Sequence, residues 1–287
     1  MRSMREPFLT RIQGAGLELQ LYEWPGEGRP IFLAHATGFH ARCWNQVVER
    51  LPGRRVYAID MRGHGLSDKP EPPYPWRNFG RDVAAVAEQR GLRDAVAVGH
   101  SKGGFAMVAA AAAVPSAFGS MLLIDPVIMG PDNYETVQDP RTEHYSARRR
   151  NSWASPEEMF ESFASRPPFD VWDRATLRDY CQFGLTPNPE GEGFVLACPP
   201  HIEAATYMGG PGDRQTYDDI HAIEFPVRVL RARPRDPKGP VDMSSSVTFP
   251  ELWKHFKRGE DVSLPHMTHF MPMEDPDLVA RHILEMA

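Results

Sequence analysis

Cysteine is scarce in this 287-residue chain. The three present, Cys43, Cys181 and Cys198, are too scattered for a disulfide framework or a zinc knuckle and read as small buried hydrophobes. Basic charge is not in excess either. Lys and Arg total 32 against 38 Asp and Glu, a net charge of −6 that provides no field for general nucleic-acid binding. Long apolar runs are missing. The most apolar stretch, Phe105 to Val114, stops at Pro115, well short of the roughly 20 residues a bilayer span requires. Met1–Thr10 carries basic residues but no apolar stretch of the kind a signal peptide needs, so a soluble, cytoplasmic protein is expected. Metal-ligand spacing, a Walker loop and a dinucleotide-type glycine pattern are all absent, and no cofactor is expected.

Proline, by contrast, is abundant. The 28 prolines are about twice the usual share of roughly 5%. They crowd at 70–75, 167–168 and 199–200, which marks rigid loops. Hydrophobic residues at 41% and charged residues at 24% are those of a globular chain. The length suffices for a full core without staples.

Short apolar runs alternate with amphipathic stretches. Pro7–Gln13 and Leu17–Trp24 read as a hairpin turning at Gly14-Ala15-Gly16. Ile31–Ala34, Arg55–Ile59, Asp94–Val98 and Met121–Ile124 read as strands, the apolar ones buried on both faces. Asn78–Arg90 and Phe105–Ala113 read as the helices between them. Strand, helix, strand, helix, strand implies a parallel sheet with right-handed crossovers. The rhythm breaks from about 130 to 222, where Pro156–Ser165, Val171–Phe183 and His201–Tyr207 look helical. It resumes with a strand at 226–232, a helix at Glu251–Phe256, a short strand at Asp261–Leu264 and a closing helix at Pro276–Met286. The expected organisation is an α/β core of 1–129 and 223–287 with a helical cap, 130–222, inserted as a lid.

Gly99-His100-Ser101-Lys102-Gly103 lies between a predicted strand and a predicted helix. That is the setting of a nucleophile elbow. The turn is so sharp that its flanks admit only small residues, and the serine hydroxyl is lifted to the end of the sheet beside a helix N-terminus. A serine used this way needs a base, and acyl transfer needs an oxyanion hole.

Four segments, in order, resemble those of the α/β-hydrolase superfamily. Ala34-His35-Ala36-Thr37-Gly38-Phe39 resembles its His-Gly-x oxyanion segment, with Ala36 where the family usually has Gly, and Asp60-Met61-Arg62-Gly63-His64-Gly65-Leu66-Ser67 its Asp-x-Arg-Gly-x-Gly-x-Ser turn. Gly99–Gly103 is the elbow. Thr268-His269-Phe270 resembles the Gly-His-Phe segment that supplies the histidine, with Thr where the family usually has Gly. The resemblance covers about 7 to 286. It implies a mostly parallel eight-stranded sheet flanked by helices, with a cap after the sixth strand. It implies Ser101 as nucleophile and His269 as base, with His266 the rival.

The same resemblance implies that the oxyanion donors are the N–H groups of Lys102 and Thr37, with Ala36 the alternative to Thr37. The Lys102 side chain is expected to point to solvent or cap a neighbour. His35, His64 and His100 are expected to pack or hydrogen-bond within the loops, and His40 to be structural. For the acid, Asp125 and Asp236 both follow strands, and both placements occur in the superfamily. Asp125 is preferred, because Asp125-Pro126-Val127 resembles the acidic-Pro-Ile segment of relatives sharing the His-Ala-x-Gly-Phe loop.

The activity implied is a serine hydrolase cleaving a carboxylic ester or lactone of a small hydrophobic substrate. A C–C or amide hydrolase, an acyltransferase and a non-catalytic binding protein are the alternatives. Asp-nucleophile dehalogenase and epoxide chemistry is disfavoured by Ser101. Trp153, Met159, Phe160, Phe163, Phe169, Trp172, Tyr180, Phe183, Tyr207 and Met208 give the lid its apolar faces. Arg148-Arg149-Arg150 reads as a solvated charge run. The partner is a small ester-like molecule, and the chain is a monomer or homodimer.

Overall fold

In a computed structural model, which describes residues 5–134, 144–210, 214–236 and 243–287, eight strands form one sheet. In chain order the strands are β1 (Phe8–Gln13), β2 (Glu18–Trp24), β3 (Glu27–Ala34), β4 (Arg54–Asp60), β5 (Ala95–His100), β6 (Phe118–Ile124), β7 (Ser152–Trp153), β8 (Leu185–Pro187), β9 (Phe194–Leu196), β10 (Val227–Arg231) and β11 (Gly259–Ser263). The sheet order is β1-β2-β4-β3-β5-β6-β10-β11. β1 and β2 are antiparallel to each other, β2 is antiparallel to β4, and every later pairing is parallel.

The continuous apolar runs follow from burial on both faces. Phe32, Ala97, Met121, Leu123 and Val229 face one apolar cluster, shared with α2 (Trp76–Gln89) and α3 (Lys102–Ala113). Ile31, Leu33, Val96, Val98, Leu122 and Leu230 face the other, shared with α1 (Asn45–Glu49), the short α8 (Met271–Glu274) and α9 (Pro276–Met286). Successive residues therefore serve opposite cores, as the two-residue period of a strand requires.

Between β6 and β10, which are neighbours in the sheet, lie α4 (Pro156–Phe163), α5 (Arg174–Phe183), α6 (Pro200–Met208) and α7 (Gln215–Ala222). Caps set two of these helix starts: Ser155 accepts the Glu158 N–H ahead of α4, and Asp173 accepts the Thr176 N–H ahead of α5. α7 contributes Ile220 to the core cluster that includes α3. The stretch is not purely helical, because β7, β9 and β8 form a small antiparallel sheet. These strands have two or three residues each, too few to show an alternation. Glu251–Phe256, expected as a helix, holds only a 3₁₀ turn, Leu252–His255. Among the described residues, no helix is long and apolar enough to cross a membrane, and the three cysteines are buried and unpaired.

Candidate active site

Ser101 follows β5 directly, with φ +57° and ψ −123°, a strained conformation for a residue with a side chain. The glycines on either side are required by contact. A Cβ at Gly99 would lie 2.5 Å from the Gly103 carbonyl oxygen, and one at Gly103 only 2.2 Å from that of Ala34. Asp125 follows β6 directly, also at positive φ, +41°. His100 and Ile124 are registered partners, so Ser101 and Asp125 extend neighbouring parallel strands by one residue each.

Asp125 is fully buried. Its Oδ2 accepts the His269 Nδ1–H at 2.6 Å and the Val247 N–H at 3.2 Å. Its Oδ1 accepts the Ala232 N–H and the Thr248 hydroxyl, each at 3.2 Å, and the Ser246 hydroxyl. Burial pushes the carboxyl group's pKa up, but the His269 bond and charge, the Ser246 hydroxyl and the Ala232 N–H outweigh it and hold the group below the ordinary Asp range. Ser246, Val247 and Thr248 carry no sequence signal for this role.

Asp236 is exposed in the loop after β10, and His266 is exposed as well. His269 is buried, 3% exposed. A bond from His100 fixes its backbone: Nε2 of His100 donates to the His269 carbonyl at 2.8 Å, so that nitrogen carries the proton. Burial lowers the His100 pKa to about 3, and the ring is neutral.

The loop after β3 is held in the same manner. The Met61 N–H donates to His35 Nε2 at 2.9 Å, leaving Nδ1 to donate to the Ala36 carbonyl at 2.7 Å. Asp60 accepts the N–H groups of Ala41 and Leu66 and the Tyr22 hydroxyl. A Cβ at Gly65 would collide with that carboxylate. Arg62 makes a buried bidentate pair with Asp82, both bonds 2.7 Å, and His64 bonds the Arg62 carbonyl at 2.8 Å. The Nε2 of His40 donates to the Tyr180 carbonyl at 3.1 Å. The N–H groups of Thr37 and Lys102 have no acceptor among the described residues. Both residues are buried, and Lys102 opens α3.

Two expectations are corrected. The Lys102 side chain does not reach solvent. α3 packs between the sheet and α2, its first turn has no open face, and the amine is fully buried 3.7 Å from the Phe79 ring centroid with no hydrogen bond among the described residues. Burial lowers its pKa to about 7. Arg149 is not part of a solvated run, although Arg148 and Arg150 are exposed. It is half-buried in the cap, paired with Glu203 and bonded to the Tyr180 hydroxyl at 3.0 Å.

A cavity of about 960 Å³ lies between cap and core. Its wall includes Thr37 of the loop after β3, and Thr268 and Phe270 on either side of His269. Ser101, 6% exposed, is not itself in the wall. Phe39 stands in it and lies edge-on to His100 at 6.1 Å and 6.1 Å from Phe270. The apolar lid residues divide: Met159 and Phe160 are buried, Trp172 is buried against Phe39 and Phe270 of the core, and Trp153, Phe163, Phe169, Tyr180 and Tyr207 reach the cavity. Phe183 lies under the Arg42 guanidinium at 3.9 Å, and Met208 is exposed.

Comparison with known proteins agrees with this architecture. A non-heme haloperoxidase of Rhodococcus erythropolis is 39% identical over 102 residues, 34% of this chain and 35% of that protein. The chain thus matches about a third of the length of the curated relatives that resemble it most locally. A bifunctional esterase/perhydrolase of Acinetobacter calcoaceticus is 27% identical over 282 residues, 94% of this chain and 95% of that one. The crystal structure of E-2-(acetamidomethylene)succinate hydrolase superposes with a TM-score of 0.76 at 20% identity, covering 98% of both chains. The model of the alpha/beta hydrolase family matches residues 31–282. With its elbow, sheet order and matched span, the chain belongs to the alpha/beta hydrolase family.

Proposed function

We propose that the protein is a serine hydrolase acting on a carboxylic ester or lactone through an acyl-enzyme. The observation that carries this reading is the pairing of the strained Ser101 with Asp125 at adjacent strand ends, the aspartate holding His269 by its Nδ1.

In this reading His269 Nε2 takes the Ser101 hydroxyl proton as Oγ attacks the substrate carbonyl carbon. Asp125 keeps the imidazole in the tautomer that leaves Nε2 free to accept, and offsets the cation that forms. The Lys102 and Thr37 N–H groups receive the oxyanion. The tetrahedral species collapses, and His269 returns the proton to the departing oxygen. Water then attacks the acyl carbon, losing its proton to His269. Collapse breaks the Oγ–acyl bond, and Oγ recovers that proton as the acid leaves. The aromatic wall of the cavity supports a substrate with a hydrophobic part.

A second acceptor is supported by one relative of nearly full length, named an esterase/perhydrolase. In this second reading the acyl-enzyme of the present chain passes its acyl group to hydrogen peroxide instead of water. The experiment is acyl partitioning. Wild type and Ser101→Ala are given an aryl acetate with and without hydrogen peroxide, and acid and peracid are quantified. Acid alone from wild type supports hydrolysis. Peracid in proportion to peroxide supports the second reading. Equal turnover by Ser101→Ala contradicts both.

A further inference from the structure

The cavity wall is not uniformly apolar. Four arginines, Arg149, Arg150, Arg166 and Arg233, stand in it with two carboxylates, Asp170 and Glu203. Arg149 is engaged by Glu203, and Arg150 by Glu158 from outside the wall. Arg166 is exposed and forms no ion pair among the described residues; its backbone carbonyl, not its side chain, accepts the Asp170 N–H at 3.1 Å.

Arg233 differs from Arg149 and Arg150 in forming no ion pair among the described residues, and from Arg166 in its backbone ties to the segments that carry His269 and Ser246. The residue is exposed, lines the cavity and forms no ion pair among the described residues. The carboxylate that feels its charge, Glu274, is already bonded by the Thr268 N–H at 3.1 Å and by the Thr268 hydroxyl. The backbone of Arg233 is anchored on both sides. Its N–H donates to the Met267 carbonyl at 2.9 Å, and its carbonyl accepts the Ser246 N–H at 2.7 Å. Met267 lies two residues before His269, and Ser246 grips Asp125. The backbone that carries this cation is thus tied to the segments that carry the proposed catalytic residues. The same wall presents aromatic faces, with Phe163 and Phe169 stacked at 4.3 Å.

We propose that the substrate is amphipathic, with an apolar body that packs on the cavity aromatics and a free carboxylate that Arg233 receives. A guanidinium suits this task because its planar fork matches a carboxylate bidentately. The inference rests on the hydrolase reading and names the substrate class for the same site.

The test measures binding, so that it does not depend on turnover. Calorimetry compares 3-phenylpropionate with the neutral 3-phenylpropan-1-ol on wild type, Arg233→Gln and, as a control outside the wall, Arg148→Gln. The expected result is that the carboxylate binds about tenfold tighter than the alcohol to wild type and Arg148→Gln at low salt. Arg233→Gln should lose that preference while binding the alcohol unchanged. Equal affinity of acid and alcohol for wild type, or a preference that survives in Arg233→Gln, overturns the proposal. Fluorophosphonate labelling of Ser101 on the same samples reads the hydrolase reading separately. An unlabelled serine with intact carboxylate preference removes the chemistry but keeps the anion site.

Discussion

His269 Nδ1 and Asp125 Oδ2 lie 2.6 Å apart, and both side chains are buried. Four further donors fix the carboxylate, so the imidazole is held by a group that cannot itself turn. Asp125→Asn should lower kcat by roughly three orders of magnitude, because the amide favours the wrong imidazole tautomer. Asp236→Asn should leave kcat unchanged, since that residue is exposed after β10. Steady-state kinetics on an aryl ester, with a melting curve for each variant, checks both.

The same carboxylate affects acid stability. Its folded pKa is held below the ordinary 3.8, so between those two values the unfolded chain binds more protons. The stabilisation is complete above about pH 4 and is lost as pH falls through the folded pKa. Urea unfolding of wild type should therefore steepen in its pH dependence below that point, and Asp125→Asn should show a flatter slope there.

Where Asp125 contributes stability at neutral pH, Lys102 costs it. Its folded pKa of about 7 lies below the ordinary 10.5, so between them the unfolded state again binds more protons and stability rises with pH. The destabilisation is full below 7 and relieved toward 10.5. Lys102→Met should raise Tm by roughly 5 °C at pH 6, with the gain shrinking toward pH 10. A gain independent of pH would mean that the amine is not the cause.

Gly103→Ala should be costly because the added methyl would meet the Ala34 carbonyl oxygen at 2.2 Å. The backbone of the elbow must shift, with a loss of roughly 1–3 kcal/mol in stability and most of the turnover. Gly53→Ala, at a positive φ but with no neighbour within 4 Å, should keep its activity. Chemical denaturation and kinetics on the pair separate close approach from backbone strain.

The parallel strands were legible because burial on both faces writes continuous apolar runs, as in Ile31–Ala34 and Met121–Ile124. The elbow was legible because two close backbone contacts admit only glycine at 99 and 103. Which aspartate meets His269 was open, since Asp125 and Asp236 both follow strands. The difference comes from Ser246, Val247 and Thr248, more than a hundred residues away in the chain, and no local pattern records it. The burial of Lys102 depends on the packing of α3 against α2, and a lysine opening a helix otherwise suggests surface. The pairing of Arg149 is hidden for the same reason: its partner Glu203 arrives on α6.

The central claim is that Ser101 is an activated nucleophile that depends on His269. It is tested by intact-protein mass spectrometry after fluorophosphonate treatment, with the labelled peptide mapped, on wild type, Ser101→Ala and His269→Ala. A single adduct on Ser101 in wild type, absent from Ser101→Ala and strongly slowed in His269→Ala, is the predicted result. A folded wild type that forms no adduct, or one that labels equally fast without His269, would contradict it.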